Sequence, residues 1–172
     1  MINQDDLQLL LGFTEWADGW VFDAAKHLTS AQLAEKHSMG FGSVFETLIH
    51  MMDTQRIWLR RWQGISATSL VTASDYTSFD QLANDWDQVH RDLREFVQSA
   101  DDAKLHSDFT YTNTRSETFT NSIMWTLLHM FNHSTEHRSQ VAAICTMAGR
   151  DVGPMDIIHY IRNVMPTENT NR

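Results

Sequence analysis

The stretch Leu128-His129-Met130-Phe131-Asn132-His133-Ser134-Thr135-Glu136-His137-Arg138-Ser139-Gln140 decides how this 172-residue chain is read. It lies within the longest segment with helical patterning, which begins at Asn121 or Ser122 and ends near Gly149. Its roughly 28 residues would span about 42 Å. His129, His133 and His137 follow one another at steps of four, so their rings leave roughly one face. Two imidazoles four apart can converge on one ion, as in zinc sites of the H-E-x-x-H kind. Three in a row cannot, because about 12 Å of helix rise separates the outer two. Spacing alone leaves His129/His133 and His133/His137 equally open.

Three more long helices are expected. From Asp5 to about His27, Leu7, Leu10, Leu11, Phe13, Trp16, Trp20 and Ala24 recur at intervals of three and four. Leu28-Thr29-Ser30 ends this helix and caps a short turn. Met39 to Ser43 reads as a loop, and Ser43 with Glu46 forms a capping box for a helix reaching Trp62, where Gly64 stops it. Residues 64–77 are small and polar, a connection long enough to cross a bundle. Thr77 or Ser78 caps a helix with Phe79, Leu82, Trp86, Val89, Leu93, Phe96 and Val97 on one face. Asp101 to Glu117 is the least regular part. There Phe109-Thr110-Tyr111-Thr112 alternates and suits a short hairpin or extended loop. Gly153-Pro154 introduces a last short helix, Met155 to about Val164. These elements predict an all-α four-helix bundle, a single domain over residues 1–166 followed by a polar tail over 167–172.

Composition narrows the function. Lys plus Arg is 13 against 22 for Asp plus Glu, a net charge of −9, which argues against binding nucleic acid through its phosphates. One cysteine excludes a disulfide framework and any thiolate-rich metal site. No apolar run approaches the ~20 residues of a membrane span. The acidic, polar start, Met1-Ile2-Asn3-Gln4-Asp5-Asp6, has the wrong sign for a targeting peptide, so a cytoplasmic protein is expected. None of this explains nine histidines.

One of them, His50, sits among Leu48, Ile49, Met51 and Met52 in a helix that could face the three-histidine helix. Bundle interiors build metal sites from facing helices, and three neutral imidazoles with open positions match the catalytic kind of site. A histidine beside apolar neighbours is more often a hydrogen-bonded core residue than a ligand. His27, His37, His90, His106 and His159 read as surface or helix-end residues. Phe13, Trp16 and Trp20, and Trp58 with Trp62, read as core packing. Arg56, Arg60 and Arg61 form a basic cluster best read as a solvated helix face. Gly40-Phe41-Gly42 lacks the third glycine of a dinucleotide fingerprint, and Cys145 reads as a buried, inert thiol.

The quoted stretch resembles the signature L-H-x-x-N-H-x-x-H-H-R-G-Q of the DinB/YfiT-like metalloenzyme superfamily. The likeness extends over nearly the whole chain. Trp16-Ala17, Phe41-Gly42-Ser43 with Thr47-Leu48-Ile49-His50, Trp58-Leu59-Arg60-Arg61-Trp62-Gln63-Gly64 and Gly153 to Tyr160 each resemble a family segment. The resemblance implies a four-helix bundle with a crossover connection, commonly a homodimer. It also implies a metal triad of His50, His133 and His137 holding zinc, nickel or iron, with His129 as a helix neighbour. Glu136 and Ser139 depart from the pattern where many members have His and Gly, and neither is a triad position.

The activity so implied is hydrolysis or thiol-dependent S-transfer on a small molecule, in some relatives with a low-molecular-weight thiol. Asp53, Glu136 and Gln140 are the candidates to support the ligands from behind. Neutral ligands imply loss of the ion as pH falls towards and below about 6.5. The alternative is a non-catalytic dimeric stress-response or interaction module, its metal structural or absent.

Overall fold

The computed structural model describes residues 2–66 and 69–165. In chain order the helices are α1 (Gln4–Lys26), α2 (Ser30–Ala34), α3 (Val44–Trp62), α4 (Phe79–Ser99), α5 (Asp102–His106), α6 (Ile123–Met147) and α7 (Ile157–Asn163). A two-stranded antiparallel hairpin, β1 (Asp108–Thr112) with β2 (Thr118–Ser122), precedes α6 and pairs Thr110 with Thr120. A 3-10 turn, Ala73–Asp75, and α5 are short elements in stretches whose sequence lacks helical periodicity. Caps set the helix starts as residue type dictates. Asn3, Thr29 and Ser43 each exchange hydrogen bonds with the residue three on, and Ser78 and Asp156 accept from the first turns of α4 and α7.

The four long helices form the bundle, and α1 and α3 each pack against both α4 and α6. Around the bundle the order is therefore α1, α4, α3, α6, with consecutive long helices α1 and α3 on a diagonal. This is the expected crossover topology, but residues 64–77 do not make the crossing, since α3 and α4 are neighbours. The diagonal steps fall to residues 27–43 and to residues 100–122, where α5 and the hairpin lie.

The core collects Leu7, Leu11 and Val21 from α1, Leu48, Met51 and Met52 from α3, Leu82 and Leu93 from α4, and Ile123, Leu127 and Met130 from α6. Each such side chain contributes roughly 1.5–3 kcal/mol on full burial. Trp58 and Trp62 join this core, and Cys145 is wholly buried. The Phe13-Trp16-Trp20 stripe does not. The inward face of α1 is Leu7, Leu11, Thr14, Ala17, Asp18 and Val21, and the three rings lie on its flank. There Tyr160 of α7 packs over two of them, its ring 6.1 Å from Phe13 and 5.7 Å from Trp16. Gly12 permits this approach, because a Cβ at that position would stand 2.3 Å from the Tyr160 hydroxyl. The polar tail lies outside the described residues. Among the described residues no helix is long and apolar enough to cross a membrane.

Candidate metal centre

Midway along α3 and α6 the apolar stripes are interrupted by polar residues. His50 from α3 meets His133 and His137 from α6, with one ring nitrogen of each within 4.8 Å of the other two. The Nε2 atoms of His50 and His133 are 3.1 Å apart. Adjacent nitrogens on an ion that binds each at about 2.0–2.1 Å stand about 3.0–3.4 Å apart, so this pair already has the separation of two ligands. His137 Nδ1 donates to Gln140 Oε1 at 2.6 Å, which leaves Nε2 as the free lone pair. The donor set of three imidazole nitrogens fits a divalent metal ion.

Burial keeps His50 and His133 neutral. It is the main cause that lowers the His50 pKa to about 4, and the neighbouring His137 charge adds to it. Burial likewise brings His133 to about 3, helped by His137, His50 and His129. For these two donors, protonation therefore begins well below the expected 6.5. His129 is exposed one turn away, its ring 5.5 Å from Trp58, and lies outside the cluster.

The loop before α3 fixes the His50 ring. Phe41 stacks on it, with centroids 4.0 Å apart and planes 4° from parallel. Phe41 is placed there because its N–H donates to Thr47 Oγ1 at 2.9 Å. Gly40 makes the turn at φ +74°, and a Cβ there would meet Thr47 Oγ1 at 2.8 Å.

The DinB family model matches residues 1–169. The chain belongs to the DinB family. Among solved structures it is similar to YfiT from Bacillus subtilis, described as a probable metal-dependent hydrolase with an unusual four-helix bundle topology. The TM-score is 0.68 and the identity 12%, over 88% of this chain and 92% of that one. At that identity the likeness speaks for the fold. No curated protein matches.

Within this DinB-family bundle the three supporting candidates part company. Gln140 does bond a triad ring. Glu136 is exposed on the outer face of α6, as a step of about 100° from His137 dictates. Asp53 is buried, yet its partners lie away from the triad. Oδ1 accepts from Arg56 Nη2 at 2.6 Å, and Oδ2 accepts from the Val71 N–H at 2.9 Å. Asp53 thus ties the connection after α3 to the turn that carries His50.

A second polar layer lies behind the triad. Asp18 of α1 accepts from Arg138 Nη1 and from Gln55 Nε2, both at 2.9 Å. Gln55 also donates to Ser134 Oγ at 3.2 Å and accepts from Trp86 Nε1 at 3.0 Å. Four helices are joined through Gln55, and Ser134 and Arg138 are the residues next to His133 and His137. Sequence reading passed over this layer. A signal was present, since Asp18, Gln55 and Arg138 sit at buried positions of otherwise apolar stripes.

Two further readings need correction. His90 is not a surface residue. It is largely buried between α1 and α4, with Nε2 3.5 Å from Asp18 Oδ2. Arg61 is not on a solvated face either, being only 8% exposed. Its guanidinium lies 4.6 Å from the Trp58 ring and 4.6 Å from the Tyr111 ring, because the hairpin folds back over α3.

Proposed function

We propose that this DinB-family protein is a metal-dependent hydrolase of a small molecule, with His50, His133 and His137 holding a divalent zinc, nickel or iron ion. One observation carries the reading: three imidazole nitrogens, two of them held neutral by burial, meet within 4.8 Å. The description of YfiT as a probable metal-dependent hydrolase accords with it.

A divalent ion bound there supplies Lewis acidity and lowers the pKa of a bound water or thiol. The chain's own residues position the donors. Gln140 holds His137 in the tautomer with a free Nε2. Phe41 keeps the His50 ring in plane and covers one face against water. The net charge of −9 disfavours polyanionic substrates.

Thiol-dependent S-transfer at the same site is the second reading, and one observation shapes it. Cys145 is buried, and burial pushes its thiol up to about 11. A reacting thiol would therefore arrive from outside the chain.

Elemental analysis of untagged protein tests the metal reading. Wild type is expected to hold a transition metal that the His133→Ala/His137→Ala double variant lacks. Equal content in both refutes it. Unchanged melting after chelation, with no turnover on hydrolytic or thiol-plus-electrophile substrates, would favour the non-catalytic dimeric module.

A further inference from the structure

A cleft of about 200 Å³ opens beside His50, on the side of α3 that faces the 64–77 connection. Its walls are Phe41, Ile49, Leu70, Val71 and Ala73, with His50 the residue it shares with the triad. The polar side chains at its edge are already engaged, Thr72 Oγ1 with Ser74 and Asp75. Asp53 is bound by Arg56 and the Val71 N–H. Glu46 is paired with Lys36 and accepts from the Ser43 N–H. What remains for a ligand is apolar surface. Phe41 and Leu70, 52% and 48% exposed, leave large apolar side chains open to water at its mouth. An apolar cavity of about 150 Å³ suffices for a benzene-sized guest, so this cleft has room for one ring or a short branched chain.

We propose that this cleft is the substrate-recognition subsite of the His50/His133/His137 centre. It receives a compact apolar group, ring-sized or branched alkyl, while the polar head of the same molecule lies at the ion. The proposal rests on the metal reading above and adds the substrate class to it. Asp53 enters as a positioning residue. By accepting from the Val71 N–H it fixes the wall of the cleft to the helical turn that carries His50, so wall and donor keep one spacing. This also gives the 64–77 connection a role that its topology does not, since it merely links neighbouring helices.

Two hydroxamates that share a metal-binding head test the proposal on zinc-loaded protein by calorimetry. Acetohydroxamate carries only a methyl group, and benzohydroxamate carries a ring. The ring compound is expected to bind about tenfold tighter or better, as burial of a ring's apolar surface requires. Ala73→Trp, which fills the cleft from a partly buried loop position, is expected to bring the ratio of the two affinities close to one with zinc retained. Leu70→Ser, at an exposed position that folding tolerates, is expected to lower the ratio in part. Zinc uptake with no preference for the ring, or with a preference that Ala73→Trp leaves intact, overturns the cleft while the metal reading stands. A protein that takes up none of zinc, nickel and iron overturns both, and the elemental analysis identifies that outcome separately.

Discussion

Gln140 shows how much a single side chain decides at the residue scale. One turn beyond His137, it accepts the Nδ1 proton and so selects the nitrogen that faces the cluster. Such outer partners typically contribute 10–100-fold to metal affinity. Gln140→Ala is expected to weaken ion binding by about that factor, read by competition with a chromophoric chelator, with melting of the metal-free protein little changed. Arg61 makes the complementary case. Its flat guanidinium lies against Trp58 and Tyr111, and lysine cannot reproduce that contact. Arg61→Lys is expected to cost about 1 kcal/mol in urea unfolding. Gln140 could be found from sequence because it shares a helix face with His137. Asp53 was found by the same argument, but the partners that define its role, Arg56 and the Val71 N–H, are set by the path of a loop.

At the scale of elements, the Asp18 layer registers α1, α3 and α6 against one another directly behind the triad. Removing one partner of a buried pair commonly costs ~3–5 kcal/mol. Asp18→Asn is expected to destabilise by about 3 kcal/mol near neutral pH, since it keeps the shape and loses the charge. The effect depends on pH in a definite direction. Burial by itself raises the Asp18 pKa, but the adjacent His90 ring, 3.5 Å away, and the Arg138 guanidinium outweigh it and hold the carboxyl below its usual value of 3.8. A depressed carboxylate contributes in full above its unfolded value and loses that contribution as pH falls through the folded one. The gap between wild type and Asp18→Asn should stay constant from pH 7 to about 5 and close below about pH 4 in urea melts. Gly12 tests another contact between elements. Gly12→Val places branched bulk where Tyr160 packs on α1. It is expected to release α7, read as faster proteolysis near the C-terminus, while α3 and α6 keep their ion.

At the scale of the molecule, ion binding and folding are linked. A ligand at a hundredfold excess over its dissociation constant adds about 2.7 kcal/mol to stability. For a chain of this size that shifts the melting temperature by about 5–10 °C. Zinc-loaded protein should therefore melt that much higher than chelator-treated protein, and the His133→Ala/His137→Ala variant should show no difference. The bundle order makes this coupling global, because α6 packs on both α1 and α3 and the ion would pin α6 to α3.

The sequence by itself determined the long helices, because apolar periodicity and caps are local properties read within a few turns. Alternation and β-branching at Phe109 to Thr112 left a short hairpin or an extended loop open, and the single cysteine excluded a thiolate-rich site. The sequence reduced three successive histidines to one adjacent pair, because helix rise forbids more. Only the tertiary structure decided which segments cross the bundle, since loop length permits a crossing without requiring it. It also decided that Phe13 and Trp16 face a C-terminal helix and not the core, that Arg61 is covered by a hairpin, and that Asp53 holds a loop. Those outcomes depend on which surfaces meet across long sequence separation. The nine histidines of the sequence are sorted on the same basis, since a cluster within 4.8 Å exists only where α3 and α6 lie side by side.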